Sequence, residues 1–332
     1  MVNKQYNLGL CLIRMLMCYV VILCHFGNSK DAHGIASIFF LLKSEAVPVF
    51  MLLSFSLTKK IYTNKDKYQF IYRMKRLVYP QIGWTVIYFV FYVLADLILK
   101  MDKSISITQF FWQLTTGHCP QLNPTMWYQV VMIILTIGFW CIFYFCTMKQ
   151  AIVSIIVLAG VSLILQYSSI NYLLFGDLRY ELTPLGRIAE MIPYATLGFI
   201  LGHCEIKKNW KKILCFAIGL IVLSLFIPDI QGFGYSGILR LGVALMLIMV
   251  FYLLPLDRMV VTHKKIILLL SKYTLGIYCM HKLVGIILDN IMNRYNIEIN
   301  SCILCLIIYI ICYCIAIVMA KIPIKICRDI VE

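Results

Sequence analysis

The chain has 332 residues, 62% of them apolar and 14% charged, with a net charge of +15 and a mean hydropathy of +0.87. So little polar surface excludes a soluble globular domain of this size. The alternating pattern of barrel strands is absent while apolar runs recur throughout, which specifies an all-α, polytopic transmembrane helical bundle. No stretch is long and polar enough to form a separate soluble domain, so residues 1–332 read as a single membrane domain.

In chain order the expected spans are 8–26, 35–57, 79–99, 126–146, 151–173, 188–203, 213–227, 237–254, 266–288 and 301–320. Ten spans place both termini on one side. Most Lys and Arg residues outside the spans fall on that side, whereas the other holds Lys30, Lys100, Lys103, Arg179, Arg187 and Arg294. This positive-inside bias puts the termini in the cytoplasm and accounts for most of the charge without a nucleic-acid partner. The N-terminal apolar stretch is too long for a cleaved signal peptide and is interrupted by Arg14. The 14 cysteines lie mostly in spans or on the cytoplasmic side, where they serve as small apolar residues. Cys302 and Cys305 have no second pair with which to complete a zinc site, so no metal is expected.

The first span carries Arg14 and His25 on one helical stripe, about 16 Å apart along the axis. Ionisable groups inside a bilayer are costly unless they face protein, so both are candidate functional residues. Glu45 in the second span falls at a depth that suits it as a partner for Arg14; Lys43, two residues earlier, faces away from it. A basic loop then closes in Arg73, Lys75 and Arg76, and Tyr79-Pro80 opens the third span. Arginine forks suit phosphates, although topology alone also explains this cluster. The outer loop 100–125 contains His118 and Cys119, and a second outer loop, about 174–187, holds Asp177, Arg179, Glu181 and Arg187. Trp112, Trp127 and Tyr128 fall where interfacial aromatic residues usually sit. His281 lies fifteen residues into a span entered from the cytoplasm at Ile266, toward the outer leaflet like His25. Two imidazoles at similar depth could meet in one cavity, where one would accept and return a hydroxyl proton near neutral pH.

Five segments in order resemble one family. Arg14 and His25 match its Arg…His first helix; AVPVFMLLSFSL (46–57) resembles its "VPLFFxxSGYL" helix; RMKRLVYP (73–80) matches its RxxR-then-Pro segment. NPTMWYQ (123–129) resembles its "HLWFL" segment, and YTLGIYCMHKL (273–283) its "SLGIYxxH" helix. The chain thus resembles the acyltransferase-3 superfamily of integral-membrane O-acyltransferases over almost its whole length. Two departures stand out. Ser54-Phe55 replaces the family's Ser-Gly, which questions a close backbone approach there, and Thr125 replaces the histidine of "HLW", with His118 seven residues upstream.

The resemblance implies transfer of an acyl group, in the first instance acetyl, to a hydroxyl of a glycan or lipid-linked saccharide. The donor would be cytoplasmic acetyl-CoA or another acyl-CoA, and no cofactor would be bound permanently. The protein would lie among membrane lipid in the bacterial inner (plasma) membrane. In this reading His25 is the base and Arg14 positions or polarises the donor. Arg73 and Arg76 hold the nucleotide end, and His281, Tyr278, Trp127 and Glu45 serve the acceptor side or assist. A ternary complex and an acyl-histidine relay both remain open. The alternative is a secondary transporter of a sugar, lipid or anion, with Arg14, Glu45, Arg240 and His281 as its pathway, although no paired halves are visible. A non-enzymatic membrane partner or sensor fits less well, because ionisable residues occupy at least four spans.

Overall fold

The apolar stretch that carries Arg14 and His25 forms one helix of nineteen residues, α1 (Leu8–Phe26), over the expected span. The computed structural model describes residues 7–99, 105–166, 183–226, 237–256, 259–322 and 325–331. Asp177, Arg179, Glu181, Lys100 and Lys103 lie outside the described residues. Among those described, the regular elements are all helical. They continue as α2 (Ile35–Leu41), α3 (Ala46–Leu57), α4 (Lys59–Thr63), α5 (Lys67–Leu99), α6 (Ile107–Thr116), α7 (Trp127–Phe145) and α8 (Met148–Leu165). Then follow α9 (Thr183–His203), α10 (Ile206–Ser224), α11 (Ile238–Leu253), α12 (Val261–Lys272), α13 (Thr274–Tyr295), α14 (Ser301–Lys321) and α15 (Lys325–Asp329).

Six of the described helices are long and apolar enough to cross a membrane, or up to seven if α2 and α3 count as one interrupted span. The expected spans 35–57, 188–203, 213–227 and 237–254 are not among the six, and the bounds of 266–288 also shift. Residues 35–57 break around Lys43–Glu45, and α11 is an apolar helix of only sixteen residues. The expected span 266–288 divides at Tyr273, where the Thr274 hydroxyl takes the Ser271 carbonyl at 3.1 Å and competes with the helical ladder. Pro80 does not open its span. It lies inside the 33-residue α5, which places Arg73, Lys75 and Arg76 on a helix rather than in a loop. Proline leaves the Arg76 carbonyl without its usual donor, and Gln129 donates its side-chain amide to the next carbonyl, that of Leu77, at 2.7 Å.

The chain divides into two compact units. The first comprises residues 1–17, 44–72 and 134–268; the second comprises 18–43, 73–133 and 269–332. In the first unit α9 lies directly on α3. A Cβ at Gly198 would run into the Leu52 carbonyl oxygen, and one at Gly202 into that of Ser56. The close backbone approach to this segment therefore exists, with the glycines on the facing helix. Phe55, at the position of the family's glycine, is fully buried and packs with Tyr62, Phe139 and their neighbours Phe143 and Phe199.

In the second unit the C-terminal residues close over α5 and α13. Trp84 Nε1 donates to the Ile330 carbonyl at 3.0 Å, and Gly276 abuts Val331. Just past α1, Asn28 N–H donates to Ser301 Oγ at 2.8 Å, and Ser301 N–H donates to the Asp31 carboxylate at 3.1 Å. Hydrogen bonds from the Ser301 side chain and then its backbone N–H hold the Asp31 carboxyl below its ordinary pKa, at a helix N-terminus that favours negative charge. They anchor the end of α1 that bears His25.

Backbone contact at the two glycines leads to a sharp expectation. Gly198→Val should destabilise the protein by about 1–3 kcal/mol or more, measured as a lower thermal unfolding midpoint in detergent. Gly219→Val, where a Cβ meets nothing within 4 Å, should leave the midpoint near that of the wild type.

Candidate active site

His25, at the end of α1, and His281, two turns into α13, lie in the second unit with ring centroids 5.3 Å apart. His281 is fully buried, whereas His25 is exposed over part of its surface. The His281 ring folds back along its own helix, and Nδ1 lies 2.6 Å from the Tyr278 carbonyl oxygen. A carbonyl oxygen only accepts, so Nδ1 carries a proton and, in the neutral ring, Nε2 carries the lone pair. That Nε2 is buried and has no hydrogen-bond partner. It is a vacant acceptor beside a second imidazole.

Several neutral polar groups hold this turn of α13. The Tyr88 hydroxyl donates to the Cys279 carbonyl at 3.0 Å and accepts from Leu283 N–H at 2.9 Å. Those two backbone groups are an i, i−4 pair of the helix ladder, so Tyr88 bridges the ladder across the turn that contains His281. Asn123 Nδ2 also donates to the Cys279 carbonyl at 3.3 Å, while its Oδ1 accepts from Thr125 N–H and from the Thr125 hydroxyl. The Tyr278 hydroxyl donates to the Thr125 carbonyl. Behind this loop, Gln113 donates to the Asn123 carbonyl and accepts from Cys119 N–H, both at 2.8 Å. Gly117, at φ +65°, closes α6 and lets the chain pass the Met126 backbone. Cys18 Sγ donates to the Thr274 carbonyl at 3.3 Å, tying α1 to the start of α13.

The expected site residues are distributed as follows. His25, His281, Tyr278, Trp127, Arg73 and Arg76 all belong to the second unit. Trp127 and Tyr128 are buried, with Tyr128 edge-on to Tyr278, so an interfacial belt does not describe them; Trp112, 51% exposed, fits one. The Tyr278 hydroxyl is engaged with the Thr125 loop, which makes it a holder of that loop. Arg73 is buried and Arg76 is exposed on α5. Arg14 is half-buried on α1, three turns before His25. His118 Nδ1 engages the Pro124 carbonyl at 3.2 Å within the loop that joins α6 to α7.

Glu45 joins a different set. In the first unit it lies within electrostatic reach of Arg240 rather than forming the anticipated pair with Arg14, and Tyr194 and Glu190 belong to the same neighbourhood. Arg187 pairs with Glu190 at 2.7 Å. Glu45 Oε2 and Arg240 Nη1 are buried without hydrogen-bond partners. Tyr88 and Gln113 escaped the sequence reading because an uncharged polar residue in an apolar helix leaves little trace in hydropathy, and Asn123, quoted only within a motif, acts from an extended position before a short 3-10 turn. Lys282 was legible as an intramembrane cation next to His281; its ammonium lies 5.0 Å from the Phe26 ring centre, beside the histidine pair.

The family profile described as an acyltransferase domain, that of acyltransferase 3, matches residues 7–321. The chain belongs to the acyltransferase-3 family. No curated protein and no solved structure matches it. The profile spans α1 to α14, so both histidines and both arginines of α5 fall within the acyltransferase-3 domain.

The bridged ladder makes Tyr88 a positioning residue. Tyr88→Phe keeps the ring but loses both hydrogen bonds, costing about 1–1.5 kcal/mol of stability. Acyl-transfer rate should fall about tenfold or more as His281 is re-aimed, since small misplacements are expensive in catalysis. Thermal unfolding and initial rates on the same preparation check this.

Proposed function

We propose that this acyltransferase moves an acyl group, in the first instance acetyl, from cytoplasmic acyl-CoA to a hydroxyl of a glycan or lipid-linked saccharide. The reading places it in the bacterial plasma membrane with ten crossings and both termini in the cytoplasm. One observation carries it. Two imidazoles lie 5.3 Å apart, the buried one has an unpartnered Nε2, and both fall within the residues that match an acyltransferase domain.

In this mechanism His25 takes the proton of the acceptor hydroxyl as that oxygen attacks the thioester carbonyl carbon. The tetrahedral adduct collapses with cleavage of the C–S bond. The departing CoA sulfur receives the proton from His25, so the enzyme returns to its starting state. His281, tethered by Tyr278, orients the His25 ring through Nε2. Lys282 supplies positive charge near the developing oxyanion. Arg14 positions the donor along α1, while Arg73 and Arg76 hold the phosphates of CoA.

The test uses purified protein, labelled acetyl-CoA and a saccharide acceptor. His25→Ala should lower turnover by about 10²–10⁴-fold while inserting and folding normally. Arg73→Ala and Arg76→Ala should raise the KM for donor with little change in kcat, the pattern for loss of uniform binding. A wild-type protein that binds a solute but never consumes acetyl-CoA would instead be a transporter.

A further inference from the structure

The buried stripe of α5 runs through Arg73, Leu77, Gln81, Thr85 and Tyr88, one turn per step. Three acceptor oxygens on or against this stripe are buried and lack a donor: Gln81 Oε1, Thr85 Oγ1 and Gln129 Oε1. The amide orientations are fixed by their other ends. Gln81 Nε2 donates to the Gln113 and Leu114 carbonyls at 3.0 and 3.3 Å, and Gln129 Nε2 donates to that of Leu77. Carbonyls cannot donate, so each nitrogen is committed and each oxygen is the end left over. Native interiors rarely leave such groups unpaired, because each costs about 1–3 kcal/mol. Three such groups along two turns of one helical stripe call for a ligand that brings hydrogen-bond donors in series.

The stripe has a direction. It begins at the buried Arg73 and ends at Tyr88, the residue that bridges the ladder around His281. By helical rise those points are about 22 Å apart, a large part of a hydrocarbon core about 30 Å thick. A donor held by its phosphates at Arg73 and reacting at the histidines must lay a slender chain along this stripe. Pantetheine is such a chain: its two amide N–H groups and one hydroxyl are spaced along short aliphatic links.

We propose that Gln81, Thr85 and Gln129 form the binding site for the pantetheine arm of the acyl-CoA donor, their oxygens accepting from its amide and hydroxyl groups. This rests on the acyl-CoA reading above and selects the threaded-arm route over delivery by a relay.

The experiment compares two donors on full-length protein in lipid nanodiscs. Acetyl-CoA carries the whole arm, whereas S-acetyl-N-acetylcysteamine keeps one amide and the thioester. The variants are Thr85→Val, which preserves shape, Gln81→Met and Gln129→Met. The expected result is an about tenfold loss in the kcat/KM preference for acetyl-CoA over the short donor in two of the three variants, the worth of roughly one hydrogen bond, and a loss with both donors in the variant whose oxygen takes the amide that they share. A purely structural role would depress both donors together and leave that ratio unchanged in all three variants, which overturns the proposal. Titration of wild-type protein with acetyl-CoA separates the two levels. Binding with an unchanged ratio in the variants rejects the arm site alone; no binding and no turnover rejects the donor reading and the arm site together.

Discussion

The hydrogen bond from His281 Nδ1 to the Tyr278 carbonyl decides which nitrogen of a buried imidazole is available for chemistry. Everything around it serves to keep that geometry. Tyr278 is held to the Thr125 loop, the Cys279 carbonyl is gripped by Asn123 and Tyr88, and Leu283 N–H is drawn to the same tyrosine hydroxyl. A ring whose Nδ1 were unengaged would be free to turn and exchange tautomers, and its other nitrogen would have no defined role toward His25. The Ser301 contacts with Asn28 and Asp31 then fix the end of α1, so that both rings are positioned from their own helices.

Much of this arrangement was visible in the amino-acid sequence, for a physical reason. An ionisable group in an apolar run is expensive, so Arg14, His25, Glu45, Arg240 and His281 announce themselves by being there at all. The extent of α1 followed directly from its hydropathy. Boundaries set by hydrogen bonding were hidden. Pro80 reads as a helix start, yet α5 continues through it with Gln129 attending the adjacent carbonyl. The interruption at Tyr273 depends on one threonine hydroxyl. Pairing between helices was equally hidden: depth alone matched Glu45 to Arg14, whereas the fold brings Arg240 to it.

The departures from the family pattern also make physical sense. Where other members have a glycine in the second helix, Phe55 fills an aromatic core, and Gly198 and Gly202 on α9 provide the close approach instead. Thr125, in place of a histidine, works through its backbone carbonyl and its hydroxyl contact with Asn123, supporting the turn of His281. Polar residues in this chain thus divide between those that shape a helix and those left with vacant hydrogen-bonding capacity. His281 Nε2 and the oxygens of Gln81, Thr85 and Gln129 belong to the second kind.

The most direct test of the account is the tautomer of His281. Protein labelled with ¹⁵N-histidine in nanodiscs should show, beside the similarly engaged rings of His118 and His203, a neutral imidazole with Nδ1 protonated and Nε2 bare whose signal vanishes in His281→Gln. If the signal lost in the variant instead belongs to a ring protonated at Nε2, the vacant acceptor beside His25 does not exist and the account is wrong.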